Sequence, residues 1–291
     1  MMKDLENKVI VIAGAAGGIG SATAQHLARH GAQVILAVRT NQASDQLLAV
    51  VRAISPGSEA YVGDLRLKHT WLGLVEFVHQ KFARLDGLVN CVGLLNPGDP
   101  LDLTSDEIES EIRTNIESLV FGAQAVLPLM RQQRGGAIVT IGSLGGIVPM
   151  PFSSLYCATK HAVRGFSLSM NEEYRGRGIS FCLLSLGPVK TKMLDREAEA
   201  GQSLIAFVNK PLHPDRVALA VLSLLRRPRP ELILPRATGV LCLLSGLSPG
   251  FFAFCYHTLR RVGEIRLHTY RQKLQNTQTI AQWENEREYI Y

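Results

Sequence analysis

Short unbroken apolar runs recur along this chain, and between them lie stretches in which apolar residues return every three or four positions. The runs read as strands buried on both faces and the periodic stretches as helices packed along one face. Val9 to Ala13 is the first run. Gly14-Ala15-Ala16-Gly17-Gly18-Ile19-Gly20 follows it, then a helical pattern to His30 closed by Gly31 as a C-cap, then a second run from Val34 to Val38. Strand, glycine-rich turn, helix and strand make one right-handed βαβ unit. The alternation continues with a helix from Gln42 to Ile54, a strand from Ala60 to Val62, a helix from Trp71 to Phe82 and a strand from Gly87 to Cys91. Thr104-Ser105-Asp106-Glu107 reads as a capping box opening a long helix to about Met130, with Pro128 bending or ending it. Then come a strand from Ala137 to Ile141, a helix to about Arg177, a strand from Phe181 to Leu186 and a candidate seventh strand from Leu232 to Leu234. Such alternation predicts a parallel sheet covered by helices on both faces.

Two stretches carry chemistry. In the first turn, Gly14, Gly18, Ile19 and Gly20 stand between a strand and a helix. There glycines let backbone approach a pyrophosphate and the helix N-terminus supplies free N–H groups. In the second, Tyr156 and Lys160 are four residues apart, on one face of a helix. A neighbouring ammonium favours phenolate, so the Tyr156 pKa is expected to fall, giving a general acid or base. Ser143 stands at the end of a buried strand, where open α/β sheets bind ligands.

With these motifs in order, residues 5 to 235 resemble the short-chain dehydrogenase/reductase family in its single-domain branch. The resemblance implies an α/β Rossmann-type fold, a doubly wound parallel sheet of about seven strands, and nicotinamide-dependent hydride transfer. It places Asp64, with Leu65 beside it, at the adenine ring. Asn90 and Gly93 match the family's Asn-Asn-Ala-Gly, here Asn90-Cys91-Val92-Gly93. Gly187, Val189 and Thr191 lie in the loop that holds the nicotinamide amide, where Leu186 replaces a proline. The implied catalytic set is Asn115, Ser143, Tyr156 and Lys160. Ser143 would polarise the carbonyl, Tyr156 donate the proton, Lys160 tune the phenol and bind the ribose, and Asn115 fix a water that relays protons to Lys160. Tyr156 and Lys160 thus also count as cofactor-binding. The second strand ends Ala37-Val38-Arg39-Thr40, without the acid that reads a ribose 2′-hydroxyl. Arg39 suits a 2′-phosphate, so NADP(H) is expected rather than NAD(H), with reduction as the physiological direction.

Composition adds bounds. The 291 residues, 46% hydrophobic and 19% charged, suit one large catalytic domain over 1–235. Five cysteines without C-x-x-C or zinc spacing suggest reduced buried thiols and a cytoplasmic setting. The N-terminus has no apolar h-region, so no signal peptide is expected. The eight histidines share no ligand spacing; no metal is expected, and His161 is read as a packing residue facing away from Tyr156. No nucleic-acid partner is expected.

The net charge of +6 is uneven. The segment 236–273 extends past the family's usual end, and residues 237–256 carry no charge. Ser248-Pro249-Gly250 splits it into pieces too short to span a bilayer, while nine Lys/Arg against two Glu lie between Arg226 and Lys273. Three readings stay open: peripheral contact with an anionic membrane surface, a cover over the active-site mouth, or an oligomer interface. Residues 274–291 read as a polar tail, mobile or docking. The substrate lid is expected around Lys192 to Lys210, made apolar by Met193, Leu194, Leu204, Ile205, Phe207 and Val208, with Leu94 and Val148 near the mouth. A bulky hydrophobic ketone or aldehyde follows: a 3-keto lipid, steroid, retinoid or acyl derivative. Rival readings are an NAD-dependent alcohol dehydrogenase of the same family, a nucleotide-sensing regulator, and an epimerase or dehydratase. The family also implies a homodimer or homotetramer; Ile112, Ile116, Leu119, Val120 and Ala123 lie at near-helical spacing and suit either that contact or the sheet.

Overall fold

The computed structural model describes residues 5–288 apart from residue 247, with side chains through residue 276 except those of residues 43 and 249. Seven strands form one sheet in the order β3-β2-β1-β4-β5-β6-β7: β1 Val9–Ala13, β2 Gln33–Val38, β3 Glu59–Val62, β4 Gly87–Asn90, β5 Gly136–Ser143, β6 Ile179–Leu186 and β7 Glu231–Leu234. Every pairing is parallel. The apolar runs are unbroken because both faces are covered. Ile10 and Ile12 pack with helices α1 (Gly18–Arg29) and α8 (Pro214–Arg226), while Val9 and Val11 point to the opposite core beside α3 (Lys68–Phe82) and α5 (Ser118–Gln132). This is the doubly wound architecture expected.

Several boundaries differ from the reading above, each for a local reason. Helix α3 starts at Lys68, three residues early, on an N-cap, Leu67, whose side chain makes no capping bond and so left no signal. The long helix is two. The Thr104–Glu107 capping box opens α4 (Ser105–Ile112), a wide π turn follows over Arg113–Glu117, and α5 runs on past Pro128 to Gln132. Of the apolar stripe offered to self-association or to the sheet, Leu119 and Ala123 are buried in the core, leaving Ile112 exposed and Ile116 and Val120 partly so. Helix α6 (Ser154–Glu173) ends four residues before Arg177.

Beyond β6 come α7 (Lys192–Ala200), a 3₁₀ turn over Leu204–Phe207, and α8; beyond β7 come α9 (Arg236–Gly246) and the 40-residue α10 (Pro249–Glu288). The break between the last two falls at Ser248, as expected. The extension folds back on the domain: Leu267 packs with Leu194, Ala198 and Phe207, and Tyr270 Oη donates to Asp195 at 2.8 Å. No helix among the described residues is long and apolar enough to cross a membrane. The expected polar tail continues α10 to Glu288, but its side chains beyond 276 and its last three residues lie outside the described residues.

Candidate active site

The sheet reverses its order between β1 and β4, and the crevice beyond these strand ends is where a doubly wound sheet binds ligands. Gly14 follows β1 at φ +75°, and a Cβ there would lie 3.1 Å from Val92 N beyond β4. A Cβ on Gly20 would meet the Gly14 carbonyl and come within 2.8 Å of Ala15 Cα, so the turn is closed by backbone packed on backbone. Gly17 caps α1 without a side-chain bond, and no acid stands in the first turn, so the leading N–H groups remain free for an anion. Gly18 faces Thr191, whose methyl group a Cβ would approach to 2.8 Å, and Ile19 lines the cavity beside it. A diphosphate fits this cradle.

At its adenine end the geometry differs from expectation. Asp64 is engaged by Arg66 through Nε at 3.0 Å and Nη2 at 2.6 Å. These bonds, with Arg39's charge a smaller contributor, hold its carboxyl below the usual range. The Leu65 side chain is buried in the core and its carbonyl accepts from Trp71 Nε1 at 2.8 Å, leaving only its N–H to face a ligand. Arg39 is exposed at the end of β2 and, among the described residues, makes no hydrogen bond or ion pair. The next helix, α2 (Asn41–Arg52), likewise starts with no side-chain cap and no acid in its first turn.

The reactive end is built from four elements. Asn90 is buried at the end of β4 and accepts from Val92 N at 3.1 Å. Gly93 passes beside both groups: a Cβ there would lie 3.6 Å from Lys160 Nζ and 3.7 Å from Asn115 Oδ1, in ordinary contact. Ser143 ends β5, its Oγ accepting from Gly145 N at 3.0 Å. Gly146 lets that turn rest on α6, since a Cβ would stand 2.9 Å from the Lys160 carbonyl carbon. Helix α6 then presents Tyr156 and Lys160 to one cavity, with Lys160 Nζ 5.5 Å from the Tyr156 ring centre and 3.3 Å from the Ile141 carbonyl it donates to. Gly187 and Val189 line the far wall, tied back by Gly187 N to Leu234 O at 2.7 Å and by a bridge from Val189 to Leu212.

One expectation about this cluster needs correcting. The Tyr156 pKa does not fall; burial, the dominant influence, raises it, against a smaller opposing effect from the Ser143 hydroxyl within hydrogen-bonding reach. Burial also draws Lys160 down to about 8, partly offset by Glu111 and Cys91. Desolvation therefore governs the phenol, and the Ser143 hydroxyl is what pulls against it. The phenol stays protonated through neutral pH, carrying the proton that a carbonyl reduction consumes. Asn115, in the π turn, spends its amide on Leu94 N and O, both at 2.8 Å, and on Thr159 Oγ1 at 2.9 Å. It pins the Leu94 loop to α6.

The cavity holds about 240 Å³. Met193, Leu194, Ile205, Val208 and Val148 line it as expected; Leu94 does not, its neighbour Leu95 taking that place, and Leu204 and Phe207 pack instead against α10. Its roof is Leu241 and Cys242 of α9 with Phe252 and Leu259 of α10, which favours the cover over the mouth among the three readings of 236–273. Sequence reasoning missed two buried carboxyls, Glu111 and Glu197, each pushed up to about 7 by burial and each with one oxygen unpaired among the described residues. Glu111 stands one turn before Asn115 and is held by Asn96 N at 2.9 Å. His161 is exposed, its Nδ1 2.8 Å from the Cys157 carbonyl oxygen. The five cysteines are free, three of them buried. Among the described residues no group of His, Cys, Asp and Glu is placed to hold a metal ion.

Comparison with known proteins agrees with this geometry. The family described as short chain dehydrogenase matches residues 8–202. An uncharacterized oxidoreductase of Staphylococcus saprophyticus is 31% identical over 225 residues, covering 76% of this chain and 90% of its own. A 7alpha-hydroxysteroid dehydrogenase of Clostridium sardiniense is 29% identical over 228 residues, covering 76% and 87%. Among solved structures, ElxO with NADP bound superposes with a TM-score of 0.71 at 25% identity, covering 78% of this chain and 97% of that one. The chain belongs to the short-chain dehydrogenase/reductase family of oxidoreductases.

Proposed function

We propose that this protein is an NADP(H)-dependent reductase of a bulky, hydrophobic carbonyl compound. The observation that carries the reading is a protonated, buried phenol set beside Ser143 and Lys160 in an otherwise largely apolar cavity. The glycine turn after β1 and the end of α1 would hold the cofactor's diphosphate. Arg39, which makes no ion pair among the described residues and is followed by an uncapped helix start, would hold a 2′-phosphate. The bound cofactor supplies the hydride. Ser143 Oγ and the Tyr156 phenol converge on the carbonyl oxygen, Tyr156 gives up its proton there, and the Lys160 ammonium stabilises the phenolate left behind. The roof of α9 and α10 excludes water and selects apolar skeletons. The Clostridium relative acts on hydroxysteroids by its name, which supports that substrate class. NADPH and NADH oxidation, followed over a panel of steroid and lipid ketones, tests the reading. Ketone-dependent turnover at least about tenfold more efficient with NADPH is expected, since one charge-assisted contact supplies about that much. Faster turnover with NADH, or none with any ketone, would overturn it.

The same roof supports a proposal about location. Val240, Leu244, Phe251 and Phe254 are exposed around the α9–α10 junction, Phe254 at 81%, and Arg260 and Arg261 follow on α10. Apolar tips flanked by cations suit an anionic bilayer surface, next to a cavity that takes lipid-like molecules. The protein is expected to sediment with phosphatidylserine vesicles at low salt, and the variant Phe251→Ser/Phe254→Ser to sediment less. Parent protein left in the supernatant at low salt would remove the membrane contact.

A further inference from the structure

Part of the cavity wall is not built on the sheet. Met193 and Leu194 of α7 line the cavity, as do Ile205 and Val208 in and after the 3₁₀ turn. The small core at this wall holds Leu194, Ala198 and Phe207 and, among the described residues, no residue of a strand; Leu267 fills it from α10, with Tyr270 and Leu274 alongside. Helix α7 has 9 residues, too few to stay helical by itself. Its order therefore depends on α10, where Leu259, Gly263, Leu267, Tyr270 and Leu274 follow one another along a single face.

The polar bonds converge on the end of α7. The last four carbonyls of a helix have no partner within it. Here the Glu197 carbonyl accepts from Gly201 N at 3.0 Å, the Ala198 carbonyl from Arg271 Nε at 2.6 Å and the Glu199 carbonyl from Arg271 Nη2 at 2.9 Å. A cation also suits the negative end of the helix dipole. Gly201 stands at φ +72°, and a Cβ there would run into the Arg271 guanidinium, so the turn that ends α7 is shaped around this side chain. Tyr270 Oη holds the first turn of α7 through Asp195 at 2.8 Å, and Arg266 Nη1 donates to the Val208 carbonyl beyond the 3₁₀ turn. One helix thus clamps this wall at its start, at its end and after the turn that follows.

We infer that Arg271 is a positioning residue for the substrate: by capping α7 it holds Met193 and Leu194 at the cavity, so that a ketone meets a formed pocket. Arg271 itself is exposed and stands outside the cavity lining. The inference rests on the carbonyl-reduction reading of the same cavity and adds the residue that shapes its substrate half.

Steady-state kinetics with steroid ketones at saturating NADPH compare the parent with Arg271→Ala, Arg271→Lys and Gly201→Ala, beside NADPH titrations and hydrogen exchange across α7. Arg271→Ala should raise KM for the ketone by roughly tenfold, the worth of one charge-assisted hydrogen bond, with kcat and NADPH affinity nearly unchanged. The amides of α7 should exchange faster while those of α1 do not. Arg271→Lys should recover part of the loss, since an ammonium still caps the helix. Gly201→Ala, which expels the guanidinium from the other side, should reproduce Arg271→Ala, and it provides the comparison if that variant does not fold. A parent-like KM in either alanine variant, or a loss of NADPH affinity as large as the rise in KM, would overturn the inference. If no ketone is turned over, carbonyl reduction fails separately, and hydrogen exchange decides the role of Arg271. Faster exchange confined to α7 and the turn after it sustains that role; parent-like exchange in either alanine variant overturns it.

Discussion

Tyr156→Phe should cut kcat for ketone reduction by roughly 10²- to 10⁴-fold, the usual worth of a positioned general acid. The ring is 8% exposed and packs the same way without its oxygen, so the fold should survive and the loss should be chemical. Because the proton is needed only as the hydride arrives, kcat and kcat/KM should fall together while KM for the ketone moves little. The pH profile gives an independent check. Burial raises the phenol, so it stays protonated across neutral pH and imposes no loss there. Lys160 is lowered to about 8, so its positive charge is present below that value and disappears as pH rises through it. Reduction by the parent should therefore decline above about pH 8, and Lys160→Met should be slow at every pH and lack that limb. Full turnover by Tyr156→Phe in a stopped-flow NADPH assay would remove the phenol from the chemistry.

How much of this was readable beforehand depended on how local each cause is. Strands buried on both faces announce themselves as unbroken apolar runs, and Val9 to Ala13 is one because Val9 and Val11 fill one core while Ile10 and Ile12 fill the other. The glycine turn and the Tyr156/Lys160 spacing are likewise short-range, and so is the Thr104–Glu107 capping box. The π turn was hidden because one wide turn barely disturbs a 3.6-residue rhythm over so long a stretch. The phenol's shift depends on how many atoms exclude water from it, which a pair of residues four apart does not encode. Glu197 sits in Asp-Arg-Glu-Ala-Glu-Ala, a string that looks solvated; only the packing of α10 across α7 and the turn at Leu204–Phe207 makes it an interior group. The same long-range packing converts the apolar extension from an open question into a cavity roof. Gly263 shows how closely it fits, since a Cβ there would run into the Leu204 carbonyl.

Gly20→Ala should disable cofactor binding while a chemically identical change elsewhere does not. In a helix, alanine is ordinarily favoured over glycine by about 0.5–1 kcal/mol. At Gly20 the added methyl meets the Gly14 carbonyl and stands 2.8 Å from Ala15 Cα and 3.0 Å from Ala15 O, all main-chain atoms with no rotamer to yield. The turn must open, and the free N–H groups at the start of α1 move with it. A displacement of about 1 Å at a positioned group can cost on the order of 10²-fold, so NADPH affinity and kcat/KM should each fall by about that much. Gly165→Ala is the control. It lies on the exposed side of α6 with nothing within 4 Å of the new Cβ, so it should raise the melting temperature slightly and leave the NADPH titration unchanged. Isothermal titration beside thermal melts separates the two effects. If Gly20→Ala bound NADPH as tightly as the parent, the turn after β1 would not be the diphosphate cradle, and the cofactor would have to lie elsewhere on the sheet's edge.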